Sequence, residues 1–273
     1  MEQRKAFQEP KLNAKELSAE LVIANLRLKE AHEQLKRSEE ARSEMFANIS
    51  HDLRSPITVI KNTIELLLDK KDLTKESATP LLSLMNQRID LLEKLINDIF
   101  LLVTLDNHCI QMEYSSIPLG FFLEDYFFSC QADSKYKNRN LKLEVSENFS
   151  GNVLVDPKHL TRVLDNLFNN ALKYSNSGDK ITLGAYLEGD HFIVYVKDSG
   201  IGISPEDKEK IFERCFIAKK ARTPGISSSG LGLYITKSIL TYFNGDIWCE
   251  STPNMGSCFS FSIPLQSLTT KMD

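Results

Sequence analysis

The sequence predicts an α+β protein, with an N-terminal coiled coil and a helical hairpin that pairs as a dimeric four-helix bundle, followed by an α/β sandwich. Three observations lead there. Apolar residues recur at spacings of three and four through the first part of the chain, a charged break interrupts them once, and from Ser115 short alternating runs mix with helical ones. A hydrophobic content of 42% in 273 residues is ordinary for a globular protein and allows a packed core in one or two domains.

Leu17, Leu21, Ala24, Leu28, Ala31, Leu35, Ser38, Arg42, Met45 and Ile49 follow a 4-3-4-3 spacing, the seam of a coiled coil. An amphipathic helix packed in a globule shares that spacing, but residues 11–55 contain neither Pro nor Gly, which favours a long rod. Ser38 and Arg42 weaken the seam just before His51. The stripe resumes after Pro56 with Ile57, Ile60, Ile64 and Leu67, breaks over the charged residues 69–76, and returns in a second helix as Leu82, Met85, Ile89, Leu92, Ile96, Ile99 and Val103. A lone hairpin cannot cover both stripes, so a homodimer is expected.

Further on, strands are predicted at 141–145, 152–155, 181–187, 191–196, 246–250 and 257–263, and helices at 119–135, 157–174 and 231–243. The absence of strict βαβ alternation predicts one sheet covered by helices.

Composition excludes several function classes. A net charge of −4, from 33 basic and 37 acidic residues, provides no basic field for nucleic acid or an anionic membrane. The five cysteines are scattered and odd in number, which argues against a zinc site and a disulfide framework and suits reduced thiols in a cytoplasm. No apolar run approaches the roughly 20 residues that span a bilayer, so no membrane segment is expected in this chain.

Four constellations carry chemistry. The helix at 157–174 ends in Asp165-Asn166-Leu167-Phe168-Asn169-Asn170-Ala171-Leu172-Lys173-Tyr174, which puts Asn166, Asn170 and Lys173 on one stripe with Tyr174 at its edge. Amide oxygens suit a Mg²⁺ whose balancing charge comes from bound phosphates, and a lysine one turn away can meet a phosphate; a solvated helix face is the plainer alternative. Next, Asp198-Ser199-Gly200-Ile201-Gly202 ends a strand in a turn where backbone can approach a flat ligand and Asp198 can accept from an exocyclic amine, although such a sequence is usually only a turn. Then Ile211-Phe212-Glu213-Arg214-Cys215-Phe216 and the basic Lys219, Lys220 and Arg222 read as a hydrophobic anchor followed by a mobile loop, unless the charges serve only solubility. Finally, Ser229-Gly230-Leu231-Gly232-Leu233 opens a helix whose free N–H groups attract phosphate, without the spacing of a Walker or Rossmann motif.

In this order the four constellations resemble the N, G1, F and G2 boxes of the ATPase domain of sensor histidine kinases, shared in part with gyrase-type and mismatch-repair ATPases. The resemblance implies a Bergerat-type sandwich that binds ATP and Mg²⁺. It makes Asn170 the metal ligand, Asn166 and Lys173 supports for the phosphates, Tyr174 a flank of the base and Asp198 the adenine acceptor. Gly200, Gly202, Ser229, Gly230, Leu231, Gly232 and Leu233 complete the implied nucleotide contacts, and the stretch from Gly245 through Gly256 to Pro264 looks like the closing hairpin.

On the first long helix lies Phe46-Ala47-Asn48-Ile49-Ser50-His51-Asp52-Leu53-Arg54-Ser55-Pro56-Ile57. A histidine in a coiled coil is by default a polar surface residue, but here it has an adjacent carboxylate and a proline that removes the N–H due to the Asp52 carbonyl, which predicts bent backbone beside it. The segment resembles the phosphoacceptor box of the same family. It implies that His51 attacks the γ-phosphorus of ATP while Asp52 orients the ring, with later transfer to an Asp of a response-regulator receiver domain. The implied layout is a coiled-coil signalling helix at 1–37, a dimerisation and phosphoacceptor domain at 38–110, an ATP-binding domain at 115–266 and a tail at 267–273, in a cytoplasmic protein or the cytoplasmic portion of a longer membrane-bound sensor.

Three positions depart from the family pattern. Ser55 stands where Thr or Asn usually serves the phosphatase reaction, Ile217 replaces an arginine common after the F-box aromatic, and Asn244 replaces the first of two glycines. Any γ-phosphate cation must then come from Arg214, Lys219, Lys220 or Arg222. A non-catalytic dimeric scaffold or ATP-gated interaction module of the same fold is the alternative; a gyrase-like conformational ATPase would not need the His51 segment.

Overall fold

The computed structural model describes residues 9–69, 74–146, 149–218 and 230–266. Residues 1–51 and 52–273 form two compact units. Helix α1 (Glu9–Asp69) makes up the described part of the first unit and opens the second. In the first unit Leu17, Leu21, Leu28 and Leu35 are 59–70% exposed, as the seam of a coiled coil is in a single strand. Pro56 lies inside α1, so the lost N–H is accommodated within an unbroken helix.

The second unit continues with α2 (Lys75–Asp106), whose first turn is capped by the Thr74 hydroxyl, which accepts from Ser77 N at 3.4 Å. Then follow β1 (Ser115–Pro118), α3 (Leu119–Ala132), a 3₁₀ turn (Ser134–Tyr136), β2 (Asn140–Val145), β3 (Asn152–Val155) and α4 (Pro157–Tyr174). The chain closes through β4 (Lys180–Glu188), β5 (His191–Asp198), the short α5 (Pro205–Lys208), α6 (Gly232–Tyr242), β6 (Ile247–Thr252) and β7 (Gly256–Pro264).

Five strands form a sheet in the order β2-β4-β5-β7-β6, with β2 parallel to β4 and the other pairs antiparallel. The remaining two make a separate antiparallel ribbon, with Ser115 opposite Val155. The expectation of a single sheet is thus corrected. The β3 strand alternates exposed and buried residues over only four positions before Asp156 and Pro157 start α4, and it pairs with β1, which the sequence reading left out. The helix predicted to reach 135 stops at Ala132, because Asp133 takes an extended conformation and its carboxylate accepts from Lys135 N at 3.0 Å to start the 3₁₀ turn.

One face of the sheet, carrying Ile181, Leu183, Val194, Val196, Phe259 and Phe261, is buried, as are Leu160, Leu164, Leu167 and Phe168 of α4 and Leu119 and Leu123 of α3. Each such side chain contributes about 1.5–3 kcal/mol relative to exposure. Helix α2 packs on α6: Leu101, Leu102 and Leu105 are buried, and the Tyr242 hydroxyl donates to the Leu105 carbonyl at 3.3 Å.

Candidate functional site

Helix α4 is aimed from both ends. At its start Asp156 accepts from Lys158 N at 2.9 Å and His159 N at 3.3 Å, Pro157 takes the first helical position, and the second carboxylate oxygen of Asp156 accepts from Glu113 N at 2.9 Å. At its end the Arg139 guanidinium donates to the carbonyls of Leu172 and Ser175 at 3.2 and 3.0 Å. With its apolar face in the core, the helix presents Asn166, Asn169, Asn170 and Lys173, with Tyr174, to a cleft of about 410 Å³. That volume lies in the range of small-molecule sites.

The turn after β5 forms the floor of the same cleft. Asp198 is buried, and its Oδ1 accepts from Gly200 N at 2.8 Å. Burial raises its pKa, with backbone N–H groups of Gly200 and Ser257 opposing. A Cβ at Gly200 would stand 2.1 Å from the Tyr174 carbonyl oxygen, and that carbonyl accepts from Ile201 N at 3.1 Å, so the glycine lets the turn close against the end of α4. Gly202, at φ +66°, lies equally close to the Thr252 carbonyl and lines the cleft with Asp198.

The start of α6 brings Gly230, Gly232 and Leu233 to the cleft, while Leu231 is buried. At Gly232 a Cβ would stand 2.2 Å from Asn166 Oδ1, and Asn166 Nδ2 donates to Thr236 Oγ1 at 2.8 Å, which locks the amide between the two helices. Ser229, Lys219, Lys220 and Arg222 lie outside the described residues. Phe212 anchors the preceding segment edge-on against Phe259, with ring centroids 6.5 Å apart. Arg214 is drawn away: its Nη2 donates to Asp106 Oδ1 at 2.7 Å and to the Tyr234 hydroxyl at 2.6 Å.

Helix α2 adds a wall that sequence reasoning missed, because the fold and not the chain order brings Lys94, Leu95 and Asp98 to the cleft. Asp98 is buried and ion-paired with Arg162 of α4. Lys173 has its pKa lowered to about 8 by burial first and by the charge of Lys94 second, with Asp52 opposing. Asn169 and Thr236 were also missed; the adjacent amides of Asn169 and Asn170 were the available signal.

His51, Asp52 and Ser55 stand on α1, with His51 and Ser55 exposed. Among the described residues no group of three or more His, Cys, Asp or Glu side chains could hold a metal ion. The donor set in the cleft is instead amide-rich, at Asn166, Asn169 and Asn170, and fits a Mg²⁺ that brings its own phosphate ligands.

Residues 155–267 match the family described as histidine kinase-, DNA gyrase B- and HSP90-like ATPase, and residues 41–108 match the His Kinase A (phospho-acceptor) domain. The chain is 32% identical over 231 residues to the sensor histidine kinase WalK of Bacillus subtilis, covering 83% of this chain and 37% of the relative. It is 30% identical over 230 residues to the sensor protein kinase WalK of Staphylococcus aureus, covering 84% of this chain and 55% of that one. The chain therefore spans well under two thirds of these relatives. Among solved structures, histidine kinase ThkA in complex with response regulator protein TrrA matches with a TM-score of 0.64 at 25% identity, over 81% of this chain and 61% of that one. The Acinetobacter baumannii histidine kinase AdeS shares the fold, with a TM-score of 0.63 at 22% identity over 79% of this chain and 98% of that one.

Proposed function

We propose that this chain, which belongs to the histidine kinase family, is the catalytic core of a two-component sensor kinase that autophosphorylates His51 from Mg-ATP and passes the phosphoryl group to an Asp of a response regulator. The observation that carries this reading is the convergence of Asn166, Asn170, Lys173, Asp198, Gly202 and Gly232 on one cleft of about 410 Å³. The same chain carries a His-Asp pair on a helix matching the phosphoacceptor family.

In this reading Asp198 accepts from the adenine amine, and Gly200 and Gly202 let backbone lie against the base with Tyr174 beside it. Gly230 and Gly232, with Leu231 and Leu233, bring backbone N–H groups of the α6 start to the phosphates, and Ser229, outside the described residues, keeps the nucleotide contact that the family resemblance implies for it. Asn166 and Lys173 hold the phosphate chain, and Asn170 supplies a protein oxygen to Mg²⁺. The metal, when bound, neutralises phosphate charge. One ring nitrogen of His51 attacks the γ-phosphorus; the bond from that phosphorus to the β,γ-bridging oxygen breaks and ADP leaves. Asp52 orients the imidazole and takes up the proton from the other ring nitrogen.

The protein acts as a homodimer. Along α2 the heptad-spaced Leu82, Ile89, Ile96 and Val103 are 42–57% exposed, while Met85, Leu92 and Ile99 are half-buried, so an apolar stripe is left for a second hairpin. The boundaries that suit this reading are a signalling helix at 1–37, the phosphoacceptor domain at 38–110 and the ATP-binding domain at 115–266. Calorimetry with ATP, with and without Mg²⁺, tests the site: Asn170→Ala is expected to lose the Mg-dependent part of binding, and unchanged Mg-dependence would refute the assignment.

A further inference from the structure

We propose that Lys94, on the second hairpin helix α2, is a phosphate-binding residue of the nucleotide cleft, so that the hairpin supplies a cation to the polyphosphate end of the site. This rests on the reading of the cleft as an ATP site. Lys94 reaches the cleft from α2, and Lys173 reaches it from α4, in company with Asn166 and Asn170. The two lysines are near enough for the charge of Lys94 to be felt at Lys173. Like charges converging in a partly desolvated cleft repel, and an anion placed between them turns that repulsion into attraction.

Of the carboxylates near Lys94, that of Asp98 is engaged elsewhere. Asp98, one turn beyond Lys94, is ion-paired with Arg162. Asp52 acts on Lys173, and among the described residues Lys94 forms no ion pair. Nor is Lys94 needed for packing, since the neighbouring Leu95 is buried in its stead and Lys94 is exposed. A lysine suits the role: its ammonium is a compact charge on a flexible stem, able to follow a phosphate chain. It also meets the need left by Ile217 and by Arg214, whose guanidinium is held by Asp106 and Tyr234. The expected consequence is selectivity by phosphate count, with the affinity gained from Lys94 growing from adenosine to diphosphate to triphosphate.

Calorimetry on the full chain with Mg²⁺ and, in turn, the non-hydrolysable ATP analogue AMPPNP, ADP and adenosine tests this. Lys94→Gln is expected to weaken AMPPNP about tenfold, the size of one charge-assisted hydrogen bond, to weaken ADP less and to leave adenosine unchanged. Lys94→Arg is expected to retain most of the AMPPNP affinity. AMPPNP binding to Lys94→Gln as to the wild type would overturn the role of Lys94 alone, and so would an equal loss for adenosine, which would indicate a general disturbance of the cleft. Failure of the wild-type protein to bind AMPPNP would overturn the ATP reading and this inference together.

Discussion

The backbone N–H of Gly200 donates to Asp198 Oδ1 at 2.8 Å, folding the glycine turn back onto the buried carboxylate at the end of β5. In the proposed nucleotide site that bond would hold Asp198 where the base enters, with the remaining lone pairs of the carboxylate left to receive an exocyclic amine.

Asp198→Ala is therefore expected to weaken adenosine and AMPPNP alike, by about tenfold or more, because a base contact is shared by every adenine nucleotide. Gly200→Ala should do comparable damage through the fold, since its methyl group would stand 2.1 Å from the Tyr174 carbonyl oxygen. Overpacking of this kind costs about 1–3 kcal/mol. Asp198→Ala also removes the buried acceptor of Gly200 N, a loss of about 1–3 kcal/mol. Asp198→Asn keeps Oδ1 for that bond, so it separates the two causes by chemical denaturation and adenosine binding: Asp198→Asn should lose binding with little loss of stability, and Gly200→Ala should lose both.

Lys173 gives the site a pH signature. Burial, with Lys94 second, holds it at about 8 against a usual 10.5. Bound phosphates favour the ammonium and raise its pKa in the complex, so between pH 8 and that higher value the complex holds more protons than the free protein. Affinity for AMPPNP should then fall as pH rises above about 8, and Lys173→Met should flatten this part of the profile. A wild-type profile that stays level through that range would contradict the placement of Lys173 on the phosphates.

Under the proposed function Ser55 bears on hydrolysis of the regulator's aspartyl phosphate. It is exposed one helical turn after His51, where a side chain can reach a water approaching a docked aspartyl phosphate. A serine hydroxyl lacks the methyl that restricts threonine, so water is held less firmly. Weak dephosphorylation of the cognate regulator is expected, raised by Ser55→Thr and removed by Ser55→Ala, with autophosphorylation little changed. Equal regulator dephosphorylation by Ser55→Ala and wild type would reduce Ser55 to a helix-surface residue.

Much of this was legible along the chain because the informative signals are local. The cap at Asp156 and Pro157, the amide stripe of α4 and the glycine turn after Asp198 each declare themselves within one or two helical turns, and α4 runs over the predicted residues Pro157–Tyr174. Long-range pairings were not legible. Nothing in the local pattern of 115–118 says that it will pair with 152–155, and no spacing rule brings Lys94 to Lys173 or Asp98 to Arg162. Arg214 illustrates the same limit: its neighbours suggested a phosphate cation, but the fold sets it against Asp106, more than a hundred positions earlier.

Transfer of the γ-phosphoryl group to His51 is open to a single labelling experiment. Incubated with Mg²⁺ and γ-labelled ATP, the purified wild-type protein should acquire label that is acid-labile and base-stable, as a phosphoramidate is. His51→Gln should acquire none while binding AMPPNP with near wild-type affinity. Label persisting on His51→Gln, or wild-type label that survives acid, would mean that His51 is not the phosphoacceptor.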